Sequence, residues 1–240
     1  SFRRLRKMAE LGTIPRRLAD SDIPVCAACK YGMATKKPRK TKASKAIEPT
    51  VEVKSPGDCV YVDIMVSSTP GLIAQMSGFM TKERYRYAAV FVDSFSDYTH
   101  VHLLRTQTAE EVIKAKRHFE DFARTLGIKV KHYHSDNGIF AAKAWKDECL
   151  NHRQGCSYTA VYAHQQNGRC ERKIQSLQYG GRTSLIHAHH RWADVITANL
   201  CPYAVRMYAE ALNNTVCARH GYAHNPMQVF SKSRMDVNPN

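Results

Sequence analysis

A carboxylate set in the middle of an apolar run constrains this chain more than any other feature. Cys59-Val60-Tyr61-Val62-Asp63-Ile64-Met65-Val66 has the alternation of a strand: Val60, Val62, Ile64 and Val66 line one face and Tyr61, Asp63 and Met65 the other. A charged group inside such a strand is costly unless it is paired or lies at an exposed face. Two further acids stand in comparable settings. Asp136 follows the strand-like run 128–134 and enters Ser135-Asp136-Asn137-Gly138; Glu171 follows Gln165-Gln166-Asn167-Gly168-Arg169-Cys170 and opens a helix-like stretch. Two carboxylates on strands and one on a helix can converge on divalent metal ions, the geometry that breaking and joining phosphodiesters requires. Singly, each has a plainer role: Asp136 as part of an Asp-Asn-Gly turn, Glu171 as an acid at a helix N-terminus.

The pattern along the chain supplies a scaffold for such a site. Strands are expected over 60–66, 87–92 and 98–104, with a turn at 93–97 in which Asp93 and Asp97 take hairpin roles. Thr108-x-x-Glu111 reads as a capping box, and Val112, Ala115, Phe119, Phe122 and Leu126 run down one face of the following helix to Gly127. A strand over 128–134, a helix over 141–152, a short strand over 156–159 and helices over 167–189 and 191–213 complete the order. For the acids to meet, the first two strands must border the strand ending at 135, and the helix from 167 must pack across them. On that helix Glu171, Gln175, Gln178 and Arg182 share one polar face, while Ile174, Leu177, Gly181 and Leu185 share an apolar one.

Charge points to a polyanionic partner. The net charge is +15, and residues 1–56 carry 14 Lys/Arg against 5 Asp/Glu, a net +9. Lys36, Lys37, Arg39 and Lys40 lie in a stretch without a periodic apolar face, which reads as a basic linker able to neutralise phosphates. No run approaches the roughly 18 apolar residues of a membrane span, and the N-terminus has no secretory apolar segment. Of eight cysteines only Cys26 and Cys29 have metal-like spacing, half of a tetrahedral zinc shell.

Taken in order, Ser135-Asp136-Asn137-Gly138, Gln165-Gln166-Asn167-Gly168 leading to Glu171-Arg172, the run Val90-Phe91-Val92-Asp93-Ser94-Phe95-Ser96-Asp97-Tyr98, Ala211-Leu212-Asn213-Asn214-Thr215 and Asn225-Pro226-Met227-Gln228-Val229-Phe230 resemble the catalytic core of a copia-type LTR retrotransposon integrase. The similarity spans roughly 26–231, with Cys170 where a small Ala is usual. The resemblance implies an α/β fold, a ribonuclease H-like mixed five-stranded sheet flanked by helices. It implies Asp63, Asp136 and Glu171 as catalytic acids holding Mg²⁺ or Mn²⁺, and DNA 3′-end processing followed by strand transfer. A ribonuclease H-like nuclease without joining activity and a non-catalytic nucleic-acid-binding relic are the alternatives. The resemblance further implies residues 1–30 as the end of a zinc-binding domain, 31–56 as linker, 57–231 as catalytic core and 232–240 as the start of a C-terminal extension. Cys26 and Cys29 would bind Zn²⁺ only with a His pair supplied from upstream; no metal is assigned to His187, His189 and His190. Double-stranded DNA would meet Gln165, Asn167, Gln175, Gln178, Arg182 and the basic linker. Self-assembly into a homo-oligomer, and work in the nucleus after passage through cytoplasmic particles, are expected in turn.

Overall fold

One mixed sheet organises the core. The computed structural model describes residues 2–34, 51–73, 82–159 and 167–232. The strands are β1 (Val60–Gly71), β2 (Tyr85–Asp93), β3 (Thr99–Leu104), β4 (His132–Ser135) and β5 (Gly155–Tyr158). Their order across the sheet is β3-β2-β1-β4-β5. β1, β2 and β3 pair antiparallel, as short connections allow; β1–β4 and β4–β5 pair parallel. The helices are α1 (Phe2–Glu10), α2 (Ala27–Gly32), α3 (Ala109–Thr125), α4 (Lys143–Asn151), α5 (Gly168–Arg191), α6 (Cys201–Asn213) and α7 (Pro226–Ser231). Among the described residues no helix is long and apolar enough to cross a membrane.

The alternation in β1 sorts the core into two layers. Val60 and Val62 join Phe91, Phe119, Tyr133, Trp145 and Phe230 beneath α3 and α4. Tyr61 and Met65 join Val90, Val92, Cys170, Leu177 and Val205 beneath α5 and α6. Asp63 therefore points to the α5 side. Each large apolar side chain buried here contributes about 1.5–3 kcal/mol.

Three expectations are corrected. β1 alone borders β4, and β2 lies on the far side of β1. The strand expected over 128–134 is confined to His132–Ser135, because the chain just before it is held by the Gly57 turn instead: Lys131 N donates to Gly57 O at 2.8 Å. Gly57 has φ +86°, and a Cβ there would stand 2.6 Å from the Lys129 carbonyl oxygen, so only glycine fits. The helix expected from 191 begins at Cys201, where Pro202 occupies the first turn and cannot sit deeper in a helix.

The turn roles of Asp93 and Asp97 are borne out. Asp93 is fully buried and accepts from Gly57 N, Ser96 N and Ser96 Oγ at 2.6–2.8 Å. Asp97 takes φ 64° at the turn. The Thr108 cap is also present, its side chain accepting from Glu111 N.

Candidate active site

The register of the sheet brings the first two acids level. Val60 stands opposite Tyr133 and Tyr61 opposite His134. Two residues further along this parallel pair, Asp63 comes abreast of Asp136, just beyond the end of β4. α5 packs against β1 and β2, with Glu171 in its first turn. Asp63 is half-buried, and its Oδ1 accepts from Ile64 N at 2.7 Å. Burial, aided by the negative charges of Asp136 and Glu171, pushes its carboxyl up to about 6. The three acids thus form one electrostatic unit. Among the described residues none of them enters an ion pair.

Each acid is held by local structure. Gly138 N donates to Asp136 Oδ1 at 3.2 Å, and a Cβ on Gly138 would stand 3.3 Å from both carboxylate oxygens, so the turn folds closely round the carboxylate. Asn137 Nδ2 donates to Thr159 O at 2.7 Å, tying this turn to the end of β5. At the start of α5, Arg169 donates to Ser94 Oγ at 2.9 Å, and Lys173 pairs with Asp97 at 2.5 Å. Cys170 is fully buried, with Sγ 3.5 Å from Val90 O. Its thiol is pushed well up by burial and by the surrounding carboxylates, which makes it a packing group rather than a nucleophile.

Glu171 is exposed and borders, with Asp63, an open cleft of about 560 Å³ whose wall includes Arg172, Gln175 and Gln178. A second cleft of about 290 Å³ shares Gln178 and continues past Arg182. Gln175, Gln178 and Arg182 are all exposed on this side of α5, as its polar stripe predicted. Together they extend the acid site into a groove along the helix.

Asn167 takes a different place from the one expected. It is only 2% exposed, and its Nδ2 donates to Val62 O at 3.4 Å. It fastens the start of α5 to β1 beside Asp63 and is out of reach of a DNA backbone. Gln165, Lys36, Lys37, Arg39 and Lys40 lie outside the described residues. Arg169 and Lys173 were not singled out in the sequence, although a signal exists: two cations in the first turns of a helix oppose its dipole and require an acidic partner, here Asp97.

The cysteine pair also meets a partner that spacing did not suggest. Cys26 caps α2, its Sγ accepting from Cys29 N at 3.2 Å. His187, near the end of α5, brings Nε2 to 3.1 Å from Cys26 Sγ, and the ligand atoms of all three residues lie within 4.8 Å of one another. α2 reaches α5 because Gly32 lies directly on Thr183, where any Cβ would collide with the threonine side chain.

No family profile matches the chain. Its sequence is 26% identical over 170 residues to the Retrovirus-related Pol polyprotein from transposon RE1 of Arabidopsis thaliana, a match covering 69% of this chain and 10% of that polyprotein. Its structure is similar to the HTLV-2 integrase catalytic core domain in complex with magnesium, trimeric form, with TM-score 0.51 and 20% identity over 73% of this chain and 97% of that one. It is also similar to a chain of the simian T-cell lymphotropic virus intasome in complex with PP2A regulatory subunit B56 gamma, with TM-score 0.52 and 18% identity over 77% and 59% of the two chains. The chain spans about a tenth of the curated relative it matches. The core thus has a ribonuclease H-like fold, similar to that of the integrase catalytic cores, and its sequence is similar to a retrotransposon Pol polyprotein.

Proposed function

We propose that this chain is the integrase core of an LTR retrotransposon and that it trims and joins DNA ends at Asp63, Asp136 and Glu171. The observation that carries this reading is the convergence of three carboxylates, Asp63 and Glu171 lining one open cleft and Asp136 bearing electrostatically on Asp63, within motifs ordered as in the integrase family. The donor set fits a divalent metal: all-oxygen and anionic, it suits Mg²⁺ or Mn²⁺ and is poor for softer ions. A bound metal pair would activate the attacking oxygen and stabilise the leaving one.

The chain's own residues supply the rest. Asp63 holds its carboxylate on the central strand β1 and Asp136 just past the end of the neighbouring β4, and Glu171 closes the set from the first turn of α5. Asn167 ties that turn to β1, and the Asp97–Lys173 pair ties it to the β2–β3 turn. Gln175, Gln178 and Arg182 offer amides and a cation to the backbone of DNA lying along the groove, and the basic segment about 36–40 adds attraction without sequence preference. One acid site serves both water and a DNA 3′-hydroxyl, because only the nucleophile changes. We further propose that the chain works as an oligomer on double-stranded DNA in the nucleus; the trimeric form and the intasome among its structural neighbours support that reading.

Duplex oligonucleotides bearing the ends of the encoding element test the proposal. With Mg²⁺ or Mn²⁺ the protein should shorten the 3′ ends and yield joined products. Asp63→Asn, Asp136→Asn and Glu171→Gln should each remove both activities by about 10³-fold or more, since the metal-supported part of the barrier is lost, while DNA affinity largely survives. Cleavage without joined products would favour the nuclease reading, and metal-independent cleavage or none would reject the proposal.

A further inference from the structure

The sheet carries a second cluster of ligating side chains on its opposite face. His100 and His102 are two apart on β3 and so project from the same side; that side packs on α3, which contributes His118. The ligand atoms of the three imidazoles lie within 4.8 Å of one another. His100 Nε2 and His118 Nδ1 are 3.3 Å apart, and the His102 and His118 ring centroids are 4.8 Å apart. Two nitrogens bound to one tetrahedral zinc at 2.0–2.1 Å stand about 3.3–3.4 Å from each other. The gap between His100 and His118 already matches one edge of that tetrahedron.

We propose that His100, His102 and His118 form a zinc-class transition-metal site that clips the edge strand β3 to α3. Three neutral imidazoles suit zinc, cobalt or nickel and are a poor shell for Mg²⁺. Burial, with the neighbouring His118, holds His100 down to about 3 and His102 to about 4, so both keep a lone pair available at ordinary pH. Phe119 and Phe122 lie against the His100 ring, limiting its freedom to turn away. His118 is exposed, which leaves the fourth position open to water. Glu111 and Arg206 are the charged groups that bear on His102, and their effects oppose each other. The site is separate from the acid cleft: it uses β3 and α3, whereas the acids use β1, β4 and α5. Its role is to hold an edge strand, which among the described residues lacks a strand partner on one side.

Titration of the full chain with Co²⁺ under excess Mg²⁺, which occupies the carboxylates, tests the site, and the Cys26→Ser/Cys29→Ser protein separates it from any thiolate site. The expected result is one equivalent of Co²⁺ in the double variant, with the visible bands of a tetrahedral ion, no near-ultraviolet sulfur-to-metal band, and displacement by Zn²⁺. His118→Gln changes an exposed side chain and should fold normally, as judged by an unchanged metal-free melting temperature; it should weaken binding at least about 100-fold, more than loss of a supporting partner does. His102→Gln should do the same, and His224→Gln should leave binding unchanged. Zinc should raise the melting temperature of the Cys26→Ser/Cys29→Ser protein but not that of its His118→Gln derivative. No Co²⁺ spectrum at stoichiometric metal, or a spectrum that survives His118→Gln and His102→Gln, overturns the proposal.

Discussion

Two groups of carboxylates flank the same sheet, and they are treated in opposite ways. Beneath α3 and α4, Glu120 and Glu148 are buried with their charges matched. The fully buried Lys116 lies 3.0 Å from Glu120 and 3.8 Å from Glu148, and Arg117 grips Glu148 through two bonds of 2.9 and 2.8 Å. Tyr133 and Gln154 complete the Glu120 shell at 2.6 and 2.7 Å. On the α5 side, Asp63 and Glu171 line one cleft, and burial together with the charges of Asp136 and Glu171 raises the proton affinity of Asp63. Matched charges add rigidity because removing either partner is costly. Unmatched ones reduce the stability of the metal-free fold and, in the proposed reading, would hold divalent cations. The difference separates framework from site: the two groups lie on opposite layers of the same sheet, one buried and matched, the other open and unmatched.

The largest effect should come from exchanging a charge in one group and finding no trace of it in the other. Asp136→Asn should lower strand joining by about 10³-fold or more, while leaving the urea midpoint close to that of the parent. Lys116→Met should reverse the pattern: about 3 kcal/mol of stability lost as Glu120 and Glu148 lose a buried cation, with the joining rate of the folded fraction nearly unchanged. Denaturation curves and end-joining assays on the same two proteins make the check. A large stability loss in Asp136→Asn, or a joining defect in folded Lys116→Met, would break the division.

The sequence made the first group difficult to see and the second easy. Asp63 was legible because a carboxylate interrupts strict alternation, and Asp136 and Glu171 because motifs surround them. The strand-and-helix order was legible for the same reason, each element having its period. Lys116 gave no warning: the helical pattern of α3 reads a Lys as surface, and only the packing of α4 across it makes it interior. The burial of Asn167 and the approach of His187 to Cys26 were equally hidden, since each depends on where a distant segment lands. The start of α6 was misjudged by ten residues although Pro202 marked it, because the apolar content of 192–200 resembles a helix face.

A smaller effect follows from the raised carboxyl of Asp63. Unfolded, an Asp titrates near 3.8; folded, this one titrates near 6. The folded state therefore binds its proton more tightly, and the metal-free protein loses stability as pH rises from about 4 to about 6, the loss being complete above that. The full difference corresponds to roughly 3 kcal/mol, an upper figure given the access of solvent to the cleft. Asp63→Asn should then melt higher than the parent at pH 7.5 without metal, and the gain should shrink to nothing near pH 3.5. Mg²⁺ should stabilise the parent and not the variant. Equal melting temperatures at pH 7.5 would show that the acid cluster stores no such strain.

The smallest effect concerns the groove beyond the acids. Arg182 is exposed on the polar face of α5, four residues and about one turn past Gln178, which lines both clefts. If DNA lies along that face, Arg182 neutralises one phosphate. Arg182→Ala should then weaken DNA binding by about 1 kcal/mol or less at moderate salt, equally for all sequences, and reduce the slope of log affinity against log salt by about 1. Gln178→Ala should weaken binding without changing the slope, because an amide displaces no counterion. Joining by either variant should recover at saturating DNA, unlike that of the acid variants, since neither group touches the reacting phosphate. A salt slope unchanged by Arg182→Ala would remove this face of α5 from the DNA path and leave the acid cleft to be approached from the β4–β5 side.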